Sequence, residues 1–339
     1  MINLLLAIDG TESLSYLKNG RLWVKEFYHT FHVKSSNGGD GMNKFYHPGP
    51  HNLSLGKDNC KEIYINCVLW LARAILLHYS HANGKKEETN LRYVAQREKN
   101  INTPLGRTPG YFNLSDILLS MENTGKIIRF VNEEIKINII GHSRGGHVAI
   151  ALNNSLPFKL HFLGLLDAVD RDIMLTGVPT ETIEKRYSYL FNAVRNTKFE
   201  RLSANFRGAT FKASIVTREW FGNDGEKGLR VYNTSHGGMG GAPIGEGWAP
   251  FFNDITCNAT YIDPIQKMFL NQGDEYIDYE KKLNELLAQS IVSYTDDGFR
   301  SMSFLQKIVE VGRRESLRVR NDFYNSAIGA GLVLNDSYL

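Results

Sequence analysis

Lys136-Ile-Asn-Ile-Ile140-Gly141-His142-Ser143-Arg144-Gly145-Gly146-His147-Val-Ala-Ile-Ala-Leu152 is the stretch that decides the fold. Lys136–Ile140 is a short β-rich run, and His147–Leu152 resumes with helical character. Between them, Gly141-x-Ser143-x-Gly145 has the form of a nucleophile elbow, a sharp strand-to-helix turn that exposes a serine hydroxyl. Glycines on either side remove the Cβ atoms that would meet the adjoining strand and helix. The helix that follows aims backbone N–H groups and its positive dipole end at the serine. The N–H of Arg144 is then one oxyanion donor. In a chain with 31 glycines the bare pattern arises easily by chance. Its setting between strand and helix gives it weight; the rival reading is a glycine-rich turn with a surface serine.

Upstream, residues 2–8 read as a buried strand of a parallel sheet, ended by Asp9-Gly10-Thr11. Residues 12–60 are rich in Gly, Asn, His and Tyr and read as a long surface excursion. Residues 61–78 carry Ile63, Cys67, Leu69, Leu71, Ala74 and Leu77 at helical spacing. Residues 80–105 are polar and charged, an exposed insertion within 80–113. Residues 114–132 read as an amphipathic helix capped by Ser115 or Asp116.

Downstream, Leu160–Leu166 is a buried strand ending at Asp167, and residues 180–198 read as helical. Residues 209–217 alternate like a strand, Leu229–Tyr232 is another, and the chain is mostly helical from Pro264. Strands alternating with helices predict an α/β fold, with an α/β-hydrolase-like, mostly parallel sheet, helices on both faces and extra surface insertions. Residues 1–262 make the catalytic core, with insertions near 12–60 and 80–113. Residues 263–339 make a helical C-terminal part packed on it.

A serine hydroxyl needs a general base, usually histidine. In α/β-hydrolases the chain order is Ser, acid, His. Only His147, His161 and His236 follow Ser143. His147 lies one helical turn past the serine, along the helix. His161 starts a strand, at the end remote from the active face. His236 follows a strand in a glycine-rich loop, beyond the carboxyl ends of the strands where open α/β sheets place ligands. His236 is therefore the expected base.

The acid must hold the imidazole in its working tautomer. Asp167 ends the strand after the nucleophile helix and ranks first, because a carboxylate buried after Leu-Gly-Leu-Leu is costly unless paired. Asp170 and Asp172 stay open as competitors. Asp9-Gly10-Thr11 lies on the same face; the Gly10 backbone or the Thr11 hydroxyl offers a second oxyanion donor, or the segment is an ordinary Asp-Gly turn. His142 is expected to point away from the nucleophile. It joins Trp248 and Phe251 as a candidate substrate contact. Those two belong to an apolar run with Pro243, Ile244, Pro250 and Phe252, which is either a lid or a core-facing turn.

The chain has 39 basic and 36 acidic residues, so charge makes no case for nucleic acid. Arg313, Arg314, Arg318 and Arg320 read as a solvated helix face. Cys60, Cys67 and Cys257 have no metal-ligand spacing, and an odd count fits a reducing compartment. The chemistry calls for no metal or other cofactor. The apolar start lacks a basic lead-in and a cleavage site, and no apolar run reaches 18 residues. The expectation is cytoplasmic by default.

Together these motifs resemble the bacterial α/β-hydrolase family that includes type VI secretion lipase effectors. That family opens with a strand and Asp-Gly-Thr, as in Leu4–Thr11, and has a Tyr-x-x-Gly segment similar to Tyr46–Gly49. Its elbow Gly-Phe-Ser-Arg-Gly-Ala is similar to Gly141–Gly146, and Phe162–Val169 is similar to its Phe-Leu-Gly-x-x-Asp-Thr-Val. Its His-Ser-Asp-Val-Gly-Gly is similar to His236–Gly241. The likeness runs over residues 2–245. Three positions depart: Gly238 stands for an Asp, His142 for an aromatic residue, and Ala168 for Thr.

The resemblance implies a carboxylester hydrolase acting on phospholipid, with transient membrane-surface contact. It also implies an immunity or secretion adaptor protein as partner and delivery to a target cell by type VI secretion. The rivals are a hydrolase of soluble esters or amides, and a non-catalytic binding module of the same fold.

Overall fold

Ile2–Ile8 forms strand β1. Leu4, Leu6 and Ile8 enter one apolar layer, and Leu5 and Ala7 enter another on the opposite face. A strand segment covered on both faces needs apolar residues at every position, so Leu4–Ile8 shows no polar alternation. The computed structural model describes residues 1–10, 22–32, 42–50, 60–84, 90–92, 94–96, 114, 117, 123–170, 174–175, 178–180, 182–196, 212–213, 229–234, 236–241 and 304–335.

Strands β2 (Lys44–His47), β3 (Ile135–His142), β4 (Leu160–Leu166), β5 (Tyr187–Arg195) and β6 (Leu229–Tyr232) join β1 in one sheet. Its order is β6-β5-β4-β3-β1-β2, and every neighbouring pair is parallel. The chain moves from β1 to one edge, then returns to the other side of β1 with β3. The direction of winding therefore switches between β1 and β3, whose carboxyl ends carry Asp9 and Ser143.

Helices α2 (Cys60–Asn83), α3 (Thr124–Glu134) and α4 (Arg144–Ser155) cover one face. Helices α1 (Trp23–Thr30) and α6 (Phe304–Gly329) cover the other, with a short turn α5 (His236–Met239) at its rim. The fold is α/β, a parallel sheet between two helical layers. Gly164 in mid-β4 has a packing reason: a Cβ there would stand 2.7 Å from the Phe323 ring of α6. No helix among the described residues is long and apolar enough to cross a membrane.

Several expectations change. The helix expected over residues 180–198 does not form among the described residues 182–196, because Tyr187–Arg195 is β5, paired with β4 and β6. Tyr187, Tyr189, Phe191 and Val194 suit a strand, and two strand partners satisfy the backbone in a way that apolar spacing alone does not reveal. Residues 12–60 are not simply a surface excursion: α1 buries Trp23, Val24 and Phe27, and β2 pairs with β1. Within the supposed exposed insertion, Asn90 and Val94 are buried. Residues 114–132 are not one helix: residues 114 and 117 are helical, but Asn123 has φ 63° and α3 begins only at Thr124, and the caps expected at Ser115 and Asp116 lie outside the described residues. Of residues 209–217, Lys212–Ala213 pairs with Val169–Asp170, and the rest lie outside the described residues.

Of residues 263–339, α6 packs Val319, Phe323 and Tyr324 into the layer that holds Phe27 and Phe162. Arg320 ties α6 to α1 by an ion pair with Glu26, its guanidinium over the Tyr324 ring at 4.7 Å. Of the expected basic face, Arg313 and Arg318 are exposed as a solvated face requires, while Arg314 pairs with Glu310 and Arg318 with Glu315.

Candidate active site

β3 ends at His142, and α4 begins at Arg144. Ser143 between them has φ 56° and ψ −128°. A left-handed φ in a residue other than glycine is strain, and it turns the side chain out of the sheet at the elbow. The turn closes only because its neighbours lack side chains. A Cβ on Gly141 would stand 2.5 Å from the Gly145 carbonyl oxygen, and one on Gly145 would stand 2.4 Å from the carbonyl oxygens of Ile8 and Asp9. Those are backbone atoms, so no rotamer change relieves the clash. Gly145→Ala is therefore expected to destabilise the protein by about 3 kcal/mol or more by urea titration. Gly125→Ala, where a Cβ meets nothing within 4 Å, is the comparison. Equal midpoints for the two variants would refute this account of the elbow.

The Ser143 Oγ lies 2.7 Å from His236 Nε2, and His236 Nδ1 lies 2.6 Å from Asp167 Oδ2. All three residues are buried. An ionised carboxylate only accepts, so Nδ1 carries the proton and Nε2 receives the serine hydroxyl proton. A hydroxyl so placed can attack a carbonyl carbon while the imidazole removes its proton.

Tertiary contacts position each member. Asp167 has φ 46°, and its N–H donates to Ala193 O of β5 at 2.6 Å. His236 opens α5, which α6 braces: Ser316 Oγ donates to Gly238 O at 2.6 Å, and Thr234 Oγ1 to Gly312 O at 2.8 Å. The C-terminal helix thus holds the loop that carries the histidine.

Arg195, the last residue of β5, was not anticipated. It is 1% exposed, and its Nη1 makes an ion pair with Asp167 Oδ2. Its backbone N–H donates to Asp167 Oδ1 at 3.2 Å. Burial alone would raise the Asp167 carboxyl; the Arg195 guanidinium and His236 outweigh it and hold the carboxyl well below the usual range. Asp167 therefore stays ionised in the fold.

His142 does not turn away from the site. Its ring lies beside that of His236, centroids 5.1 Å apart, and its Nε2–H donates to His236 O at 3.1 Å. Burial and the neighbouring His236 push it down to about 3, so it is neutral near pH 7. A Cβ on Gly240 would stand 2.3 Å from this ring, and one on Gly10 2.6 Å. The ring is wedged between two glycine backbones beneath the base, a place that its neighbours in sequence do not predict.

Arg144 opens α4 beside Ser143, so its N–H lies at the helix start as expected. Gly10 also adjoins the serine, since its Cβ would stand 3.0 Å from Ser143 Cβ. The Gly10 N–H, however, donates to Asp9 Oδ1 at 3.1 Å, while Tyr46 Oη donates to Oδ2 at 3.0 Å. A fully buried carboxyl claims the donors nearest to it. Burial pushes Asp9 up to about 7 despite those hydrogen bonds.

Of the other candidates, His147 is buried in α4, and His161 Nε2 bonds Ala330 O at 2.8 Å, far along β4 from the serine. Asp170 lies in a two-residue strand paired with Lys212–Ala213. Thr11, Asp172, Trp248 and Phe251 lie outside the described residues. Among the described residues no group of three or more His, Cys, Asp or Glu is placed to hold a metal ion.

No family model matches the chain, and no curated protein matches it. A solved structure described as an uncharacterized protein from Pseudomonas aeruginosa is similar over 71% of this chain, at 14% identity and a TM-score of 0.39. The chain spans 42% of the length of that protein, and a likeness so distant carries no argument about the site.

Proposed function

We propose that the chain is a serine carboxylester hydrolase working through an acyl-enzyme on Ser143. The observation that carries this reading is the unbroken Ser143–His236–Asp167 relay, set on a strained strand-to-helix turn. Ser143 Oγ attacks the ester carbonyl as His236 Nε2 takes its proton. The developing oxyanion is stabilised by the Arg144 N–H at the start of α4. His236 then gives its proton to the leaving alkoxide. Water, activated by the same nitrogen, attacks the acyl carbonyl and frees Ser143. Asp167 remains an anion throughout and supports the imidazolium.

The substrate class extends the proposal: a phospholipid ester, with an effector role in type VI secretion. That part rests on the motif resemblance alone. The test is labelling with a fluorophosphonate probe, expected for wild type and absent in Ser143→Ala. An unlabelled wild type with native circular dichroism would instead favour a binding module. Fatty-acid release from phospholipid vesicles, compared with turnover of a soluble p-nitrophenyl ester, then separates a lipase from an esterase of soluble substrates.

A further inference from the structure

We propose that Arg195 is a positioning residue of the hydrolytic site: its guanidinium holds Asp167 as an anion under His236 and so keeps the base working at lower pH. The inference rests on the hydrolase reading.

The geometry carries it. Asp167 Oδ2 receives two donors, His236 Nδ1–H and Arg195 Nη1–H. Nη1 also lies 3.2 Å from Nδ1. Both nitrogens bear protons, so they converge on one oxygen and do not bond each other. Asp167 Oδ1 is occupied as well, by the Arg195 backbone N–H at 3.2 Å. One residue thus engages both carboxylate oxygens, and the carboxylate has little freedom to rotate away from the imidazole.

The charge balance follows. A buried Asp–His couple with no further charge is neutral when the imidazole is protonated and anionic when it is not. Burial favours the neutral form, so the couple would take up a proton readily. Arg195 reverses this: with its permanent charge, the deprotonated couple is the neutral assembly. Arg195 therefore favours the assembly in which Asp167 is ionised beneath His236 and Nε2 is open to the Ser143 proton.

Among the described residues, Arg195 is the arginine ion-paired with Asp167, and the other ionisable groups near the couple are placed as follows. His142 at the end of β3 is neutral and bonded to His236 O. On α4, His147 is buried one turn beyond Ser143, and Arg144 opens the helix. Asp9 at the end of β1 is engaged with Gly10 and Tyr46. On α6, Glu315 accepts the Asn233 N–H at 3.1 Å.

The experiment measures the rate of fluorophosphonate labelling against pH for the full chain, as wild type, Arg195→Gln and Arg195→Lys. The probe needs no knowledge of the natural ester. In Arg195→Gln the acid limb should move up by about one pH unit, so that labelling one unit below the wild-type limb falls about tenfold. Arg195→Lys keeps the charge and loses the planar fork, so its limb stays in place while its plateau falls several-fold.

A limb unmoved in Arg195→Gln, with rate lost equally at every pH, would make Arg195 merely structural and overturn the proposal. If Arg195→Gln does not fold, the neutral Arg195→Met takes its place: a limb moved upward supports the proposal, and an unmoved limb overturns it. A wild type that is never labelled overturns the hydrolase reading and this inference together. A labelled wild type with an unmoved limb in Arg195→Gln overturns the role of Arg195 alone.

Discussion

Ser143→Gly is expected to abolish the proposed ester hydrolysis and to make the protein more stable. The activity loss follows from removing the nucleophile, which in serine hydrolases costs on the order of 10⁶ in kcat. The stability gain follows from the backbone. Ser143 sits at φ 56°, ψ −128°, a conformation that costs a side-chain-bearing residue roughly 1–3 kcal/mol and glycine almost nothing. Against this, glycine gives the unfolded chain more freedom, a loss of up to about 1 kcal/mol.

The net gain is about 1 kcal/mol, or about 2 °C in Tm for a chain of this size. Ser143→Ala separates the two effects, because it loses the nucleophile but keeps the Cβ and the strain. Calorimetry should therefore rank Ser143→Gly above both Ser143→Ala and wild type. If Ser143→Gly melts no higher than Ser143→Ala, the elbow stores no strain.

That strain links fold to chemistry, and it marks what a sequence can and cannot reveal. The strand-turn-helix around Ser143 is legible because its cues are local: a β-rich run, two glycines, an apolar helix. β1 and β4 are legible for the same reason, as short unbroken apolar runs. His236 was reached by chain order and elimination, and Asp167 by its place at a strand end. Arg195 has no such cue, because apolar spacing over residues 180–198 points to a helix where β5 forms. On a helix, Arg195 would be one more surface cation. As the last residue of a strand beside β4, with Leu166 opposite Ala193, it comes within one register position of Asp167. The alternation of Tyr187, Tyr189 and Phe191 carried that signal. The direction of His142 had no local signal, since the elbow torsions and the Gly10 and Gly240 backbones decide it together.

Asp9→Asn is expected to flatten the pH dependence of stability and to stabilise the protein at alkaline pH. Asp9 is fully buried at the end of β1, and burial pushes its carboxyl from 3.8 up to about 7. The folded-state value is therefore above the unfolded one. Between about pH 4 and pH 7 the native state holds a proton that the unfolded state has released. Stability must then fall as pH rises through that window, and the whole cost is present above it. At 1.36 kcal/mol per unit the cost reaches at most about 4 kcal/mol, with the two hydrogen bonds already counted against it. Asparagine keeps an oxygen for the Gly10 N–H and stays neutral, so it removes the cost at pH 8 and changes little at pH 4. Urea midpoints of both proteins at pH 4.5 and pH 8 provide the measurement. Parallel behaviour of the two would mean that Asp9 is charged and well paired in the fold. The opposite outcome, a wild type that weakens toward pH 8 while Asp9→Asn does not, would show the protein accepting a buried acid where β1 meets the serine. Asp9 Oδ1 accepts the Gly10 N–H, and that backbone adjoins both Ser143 and His142, so the cost falls on a residue that holds the wall of the site.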